Sequence, residues 1–215
     1  MDVLLKNLDL YGPGFLTTVE LFLWAAAVSL LLGTILAVLR VSPVPILRGA
    51  ATVYVTLMIN TPLTLLFLFF AFGFPVLAIA NLSPFWGAIA ALSPYTSAFV
   101  CEAVRSGINT VSVGQVEASR ALGLTFGQML SVVVLPQAIR SVVPPLMNQM
   151  NALLKNTTIA AGFSVVEAGA IQSYLSERGY NVLVGLLWVA LFFVLLVVPL
   201  TLLQHGLEKR WSIAR

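Results

Sequence analysis

Charge, cysteine and histidine are all scarce in this sequence. Only 9% of its 215 residues are Asp, Glu, Lys or Arg, whereas soluble domains carry about 25%. The one cysteine, Cys101, excludes an internal disulfide and a multi-cysteine metal site, and the one histidine, His205, excludes a histidine cluster. No G-x-x-x-x-G-K-[ST] phosphate-binding loop occurs in the chain. The sequence therefore offers little for an enzyme, and we expect no cofactor on this chain.

Apolar residues are abundant instead. They make up 60% of the chain, and the mean hydropathy is +1.01, more apolar surface than a soluble core can use. The net charge is +3, but the eleven Lys and Arg residues form no dense run, so membrane topology explains them better than nucleic acid does. We find no internal repeat, low-complexity tract or long linker. We therefore expect an all-α membrane protein with one transmembrane domain over residues 1–215.

The number of membrane spans follows from length and charge together. A helix needs about 20 apolar residues to cross the hydrocarbon. Four segments qualify clearly, and a fifth is weaker because it is more polar: 15–39, 53–74, 84–104 and 182–203, then 137–161. The weaker one is expected to be lined by other helices rather than by lipid, since polar residues in a span usually face the bundle interior.

Basic residues favour the cytoplasmic side of a membrane. Eight of the eleven fall on one side if the first and third connections and the C-terminus are inside: Arg40, Arg48, Arg105, Arg120, Arg140, Lys209, Arg210 and Arg215. That arrangement requires an outside N-terminus, a cytoplasmic C-terminus and an odd number of spans. Five spans are therefore predicted, with residues 116–140 in a long cytoplasmic connection between spans three and four.

This connection is rich in polar residues and glycine. Good helix formers run from Glu117 to Leu122, Gly123 interrupts them, and Thr125 can cap a second short helix running toward Leu135. Pro136 would then lie near the start of the fourth span. A projecting helix–glycine–helix unit suits docking onto a soluble partner, while a solvated loop that contacts nothing is the alternative.

A family resemblance rests on the spacing within this loop. The order Glu117-Ala118-Ser119, three residues, Gly123, nine residues, Val133, one residue, Leu135-Pro136 resembles the EAA loop of permeases from binding-protein-dependent ABC importers. Ser119 and Val133 stand where that motif has alanine and isoleucine. Both substitutes are small or β-branched, like the residues they replace.

The resemblance extends over nearly the whole chain. Five further stretches look like the polar amino-acid subfamily, and together they are most similar to actinobacterial glutamate-importer permeases: Asn60-Thr61-Pro62-Leu63, Glu102-Ala103-Val104-Arg105-Ser106-Gly107-Ile108, Gly114-Gln115, Leu135-Pro136-Gln137-Ala138 and Lys155-Asn156-Thr157-Thr158. One departure is that the subfamily often has an arginine shortly before the Thr-Pro pair, where this chain has Ile59 and Asn60.

The resemblance implies a type I ABC importer permease of the bacterial inner membrane, embedded in lipid and without chemistry of its own. A second permease subunit, identical or homologous, would complete the path for a polar amino acid, with glutamate permeases the most similar. Two cytoplasmic ATPase subunits would hold ATP and Mg²⁺, and an extracytoplasmic binding protein would deliver the solute. Another polar amino acid (glutamine, histidine or arginine) remains open as the substrate. So does an ATPase-independent transporter or channel, which would not need a docking loop.

The resemblance also assigns candidate sites. ATPase coupling is expected at the motif positions, which are Glu117, Ala118, Ser119, Gly123, Leu135 and Pro136. The candidate substrate path is instead inferred from the residues themselves. It comprises Asn60 and Thr61, beside the helix-breaking Pro62, and a stripe on the fourth span formed by Asn148, Asn151 and Lys155.

The stripe residues fall at i, i+3 and i+7, which is one face of a helix. They can instead hydrogen-bond neighbouring helices, and Lys155 can extend to the outer interface. Glu102 and Arg105, at i and i+3, predict an internal ion pair or a gate.

Overall fold

The computed structural model describes residues 2–78 and 81–211, so Arg215 of the predicted cytoplasmic basic group lies outside the described residues. All regular elements within those ranges are helical. The helices are α1 (Asp2–Leu5), α2 (Leu8–Val41), α3 (Pro45–Asn60), α4 (Leu63–Val76), α5 (Pro84–Ile108), α6 (Val113–Ala121), α7 (Phe126–Phe163), α8 (Ile171–Glu177) and α9 (Val182–Trp211). A 3₁₀ turn, Ala168–Ala170, precedes α8.

The helices α2, α5, α7 and α9 are each long and apolar enough to cross a membrane. The pair α3–α4 passes the same test together, with a bend of 98° between its halves. Counting that pair as one broken span gives five spans, which confirms the predicted all-α membrane fold. The first span begins earlier than predicted, at Leu8, because the helix continues through Pro13 near its start.

The break in the second span is sharper than a kink. The residue before a proline is biased toward extended backbone, and Thr61 has φ −95° and ψ 128° before Pro62. The polar side chains beside the break turn back onto their own helix. Asn60 Nδ2 donates to the Thr56 carbonyl over 2.7 Å, and Thr61 Oγ1 donates to the Leu57 carbonyl over 2.8 Å.

The centre of the bundle is the contact between α2 and α5. Ala25, Ser29 and Gly33 form the row of small residues on α2 that faces this contact, and the first two are fully buried. A Cβ atom at Gly33 would lie 2.5 Å from the Val100 Cβ and 2.7 Å from the Ser97 carbonyl oxygen. The absence of a side chain at Gly33 thus lets the two backbones approach closely.

One prediction about the cytoplasmic connection is wrong. No separate second short helix runs toward Leu135, because α7 continues from Phe126 to Phe163 and contains both Leu135 and Pro136. The turn before Pro136 widens into a π-helical segment, Met129–Val134. The Gln137 Nε2 donates to the Val133 carbonyl over 2.9 Å. The wider turn and this side-chain bond let the helix pass a residue that lacks an N–H.

Candidate coupling loop and translocation path

The predicted coupling segment forms a short helix, α6, that ends in a tight turn. Gly123 has φ +77°, a left-handed conformation that glycine adopts without steric cost. Its N–H donates to the Arg120 carbonyl over 2.9 Å, and the Leu124 N–H donates to the Ser119 carbonyl over 3.2 Å. This pair of bonds is the Schellman arrangement that closes a helix C-terminus. The turn from α6 into α7 is therefore fixed by Gly123.

The first turn of α7 is fixed equally well. The Gln128 N–H donates to Thr125 Oγ1, and the Thr125 N–H donates to Gln128 Oε1 over 3.0 Å, which together form a capping box. The predicted capping role of Thr125 is thus confirmed, although the helix it begins is the fourth span itself. Helix α6 and the fourth span are separated by only four residues, 122–125. We expect the two helices to move together because the connection is short and capped at both ends.

The loop presents apolar and acidic groups to its surroundings. Glu117 and Ala118 are exposed on α6, and the Leu122 and Phe126 side chains beside the turn are 81% and 69% exposed. Large exposed apolar side chains that lie together mark a contact surface. The salt bridges among the described residues do not pair Glu117 with Arg120. The Glu117 carboxylate therefore faces outward.

The remaining motif positions lie at different depths. Ser119 is buried, and its hydroxyl donates to the Gln115 carbonyl over 2.6 Å. Leu135 is 43% exposed, and Pro136 beside it is half-buried within α7. Glu117, Ala118 and Leu135 therefore reach the surface, whereas Ser119 and Gly123 shape the backbone.

Two contacts join the ends of the loop to each other. A Cβ atom at Gly107, near the end of α5, would lie 2.2 Å from Val142 Cγ2 on α7. Beside it, Thr110 Oγ1 donates to Ser141 Oγ over 2.9 Å. The end of α5 and residues 141–142 of α7 are thus packed without space between them.

Three charged side chains meet at the ends of α2 and α5. Glu102 accepts hydrogen bonds from Arg105, with Nη2 at 2.8 Å and Nε at 3.0 Å from its Oε2 atom. Its Oε1 atom contacts the Arg40 guanidinium. Arg40 is the least exposed of the three, at 15%. Sequence reasoning missed Arg40 because it is 62 residues from its partner, and helix spacing reveals only local pairs.

The asparagine stripe of α7 meets a glutamine of α9. Asn148 Oδ1 accepts a hydrogen bond from Gln204 Nε2 over 3.1 Å, and Asn151 Nδ2 donates to Gln204 Oε1 over 3.3 Å. Gln204 is 9% exposed. The stripe is therefore partly engaged in hydrogen bonding between two helices. Gln204 was not expected at the site, since it directly follows the apolar run 182–203 and no local pattern indicates its contact with residues more than 50 positions earlier.

Lys155 lies apart from these amides. It is exposed and lines an open groove of ≈ 420 Å³ with Thr158 and four apolar residues of α9, Phe193, Val194, Val197 and Val198. The structure thus places a cation at the edge of an apolar groove in the span region. Asn60 and Thr61, at the α3–α4 break, bond to their own helix rather than to this group.

Comparisons with known proteins agree with this geometry. Residues 29–213 match the family model described as the inner membrane component of binding-protein-dependent transport systems. The chain belongs to this family. Its membership makes the chain a multi-pass membrane component of a transport system rather than an enzyme, and it confirms the resemblance drawn from the loop motif.

The individual proteins similar to this chain include permeases of amino acid transport systems. The chain is 42% identical to the glutamate transport system permease protein GluC of Corynebacterium efficiens, over 94% of each chain. It is 38% identical to the probable glutamine ABC transporter permease protein GlnM of Bacillus subtilis, over 98% of this chain and 97% of that one. A crystal structure of an amino acid ABC transporter with histidines superposes with a TM-score of 0.90 and 26% identity, over 96% of both chains. This family member therefore has the fold of an amino acid ABC transporter.

Proposed function

We propose that this chain is a permease subunit of an ATP-driven importer, with glutamate as its substrate. The observation that carries the proposal is the 42% identity, over 94% of each chain, to a glutamate transport system permease. Lys155 supports it from the structure, because an acidic amino acid brings one more carboxylate than a neutral one and is favoured by a cation in the span region.

The substrate path runs along α7, whose stripe combines Lys155 with the amides of Asn148 and Asn151. Lys155 interacts with a substrate carboxylate, and the amides hydrogen-bond polar atoms of the substrate when the contact between α7 and α9 opens. Asn60 and Thr61 contribute from the α3–α4 break. There their side chains give up their hydrogen bonds to helix carbonyls and bond to the substrate instead. Glu102 and Arg105 hold the cytoplasmic ends of the helices in register and act as a gate there.

Energy enters through partner subunits. Two copies of a separate ATP-binding subunit carry ATP and Mg²⁺ and dock at Glu117, Ala118 and the exposed apolar residues beside Gly123. A second permease, identical or homologous, completes the path across the membrane, and an extracytoplasmic binding protein delivers the amino acid. The exposed Leu122 and Phe126 support the docking step, because such side chains are stabilised when a partner covers them.

Orientation follows from the charges. The N-terminus lies outside and the C-terminus inside, so that α6 faces the cytoplasm, where the ATP-binding subunits reside. Arg40, Arg105 and Arg120 then lie on or near the cytoplasmic side, as the positive-inside preference favours. The transmembrane part of the importer on this chain is one permease domain, 1–215.

The test is uptake by the reconstituted importer. The chain is expressed with its neighbouring transport subunits, purified as a complex and incorporated into liposomes with ATP inside. Labelled glutamate, glutamine, arginine and histidine are then compared at equal concentration. We expect ATP-dependent uptake of glutamate to exceed that of the other three. A preference for glutamine would favour the activity named for the GlnM relative, and uptake by this chain alone without ATP would favour a self-sufficient transporter.

A further inference from the structure

A carboxyl group is buried in the connection between α7 and α9. Glu167 is 0% exposed and lies between α7 and the 3₁₀ turn that leads into α8. Its Oε1 atom accepts a hydrogen bond from the Gly169 N–H over 2.7 Å, and its Oε2 atom lies 3.0 Å from Thr18 Oγ1 on α2. The side chain thus joins the connection that follows the Lys155 helix to the first span.

The carboxyl packs tightly against the backbone of its own turn. A Cβ atom at Gly169 would lie 2.5 Å from Glu167 Oε1. Thr18 is also 0% exposed. A buried ionised carboxylate needs a cation or several donors to offset its desolvation.

No cation reaches Glu167 among the described residues. The described hydrogen bonds of its carboxyl group are those with Thr18 and the Gly169 N–H. The helices packed against its 3₁₀ turn carry the following titratable groups: Asp9, Tyr11, Glu20 and Arg40 on α2, Arg140 and Lys155 on α7, and Tyr174 and Glu177 on α8, with Arg178 just after it. Arg178 pairs with Asp9, Arg40 pairs with Glu102, and the Tyr11 hydroxyl donates to the Gly185 carbonyl. None of these groups has a described hydrogen bond or ion pair with Glu167.

The number of protons available around Thr18 decides whether the protonated or the ionised Glu167 satisfies the hydrogen bonds. The Thr18 hydroxyl has one proton but lies near two oxygens, the Gly14 carbonyl at 3.1 Å and Glu167 Oε2 at 3.0 Å. It also accepts from the Ala168 N–H over 3.0 Å. A protonated Glu167 donates to Thr18, which then donates to Gly14 and accepts two bonds, so every group is satisfied. An ionised Glu167 takes the only proton of Thr18 and gains no cation.

We propose that Glu167 is a positioning residue that works as a neutral, protonated acid, latching the connection after α7 to the first span. This role goes beyond the transport function proposed above and can be tested without a transport assay. The latch holds the 3₁₀ end of α7, Thr157–Phe163, and therefore the outer end of the helix that carries Lys155. Loss of the proton leaves a buried charge without a cation and weakens that attachment.

The electrostatics of the site agree with its geometry. Burial raises the pKa of the Glu167 carboxyl from 4.5 to about 7, against the lowering effect of hydrogen bonds from Thr18 and nearby backbone N–H groups. A folded-state pKa above the unfolded value means that the folded protein binds the proton more tightly. The resulting stabilisation is fully present below about pH 4.5 and is lost as the pH rises through about 7.

The experiment compares wild type with Glu167→Gln, whose amide donates to Thr18 and accepts from Gly169 as the protonated acid does. Unfolding temperatures of the full-length chain, purified with its partner subunits, are measured from about pH 5 to about pH 8. We expect the wild-type value to fall relative to that of the glutamine variant by about 2–4 °C or more over this range. Identical pH profiles would overturn the proposal, and so would failure of the glutamine variant to fold, because a neutral isostere should replace a neutral acid.

Two further variants separate the latch from general packing. Glu167→Ala should unfold at a lower temperature than the glutamine variant at every pH, since it leaves Gly169 and Thr18 without their partner. Thr18→Val should lower the unfolding temperature more than Thr18→Ser, which retains the hydroxyl. An alanine variant as stable as wild type would show that the side chain latches nothing. A valine variant as stable as the serine variant would show that the hydroxyl does not complete the latch.

Discussion

Glu102 is the residue whose loss leaves the most charge unbalanced, because it faces both Arg40 and Arg105. Glu102→Gln should bring two guanidinium groups together without a carboxylate and destabilise the α2–α5 contact by about 1.5–3 kcal/mol, the range for hydrogen bonds to charged groups. Thermal unfolding of the purified complex measures this effect. Glu20→Gln is the matched control, since Glu20 is exposed and outside the described salt bridges. Equal unfolding temperatures for the two variants would contradict the structural role of the cluster.

Lys155 tests the substrate assignment, also at the scale of one residue. Lys155→Met keeps much of the side-chain length and removes the charge, so glutamate uptake should fall by about 10–100-fold, as expected for losing a charged hydrogen bond. Lys155→Arg should retain more activity because it keeps the cation. Co-purification of the ATP-binding subunit should be unchanged in both. Loss of co-purification together with uptake would mean that Lys155 supports the fold instead of the path.

The helices themselves could be predicted from the sequence to different degrees. The apolar runs that became α2, α5 and α9 are each long enough to cross a membrane, so composition alone reveals them. The 98° bend before Pro62 could not be predicted, because proline restricts the preceding residue but does not set the direction of the next helix. The continuous α7 was missed for the opposite reason, since a π-helical turn and a glutamine side chain let it pass Pro136.

The site residues also differ in how far the sequence predicts them, depending on whether their contacts are local or long-range. The turn at Gly123 and the cap at Thr125 are local features with sequence signatures. The contacts of Arg40 with Glu102, of Gln204 with Asn148 and of Thr18 with Glu167 join positions 62, 56 and 149 residues apart. Such pairs depend on how whole helices pack, which single-sequence patterns do not encode.

Gly123 allows a prediction about the proposed coupling role of α6. Gly123→Ala forces a Cβ atom into left-handed backbone, which costs about 1–2 kcal/mol locally, and should loosen the turn between α6 and α7. ATP-driven uptake should fall while the protein still inserts in the membrane, because the turn lies in the connection between the membrane spans α5 and α7. Gly127→Ala is the matched control: a Cβ atom would meet open space at both glycines, but Gly127 lies within the first turn of α7, outside the left-handed positions. If both variants transport like wild type, the turn geometry does not serve coupling.

The molecule as a whole is tested by its orientation in the membrane, on which both the docking and the path proposals depend. Thr125 and Glu177 are exposed and lie in connections at the two ends of α7, so a span that crosses the bilayer must place them on opposite sides. The basic residues favour the side of Thr125 as the cytoplasm. In a Cys101→Ala background, a cysteine at position 125 should react with a membrane-impermeant thiol reagent only in inside-out vesicles, and one at position 177 only in intact cells. Cys101 is fully buried. Its replacement leaves the introduced cysteine as the single thiol of the chain. The reverse labelling pattern would place α6 outside the cell, where no ATP-binding subunit could reach it, and would leave the exposed Leu122 and Phe126 without the partner proposed for them.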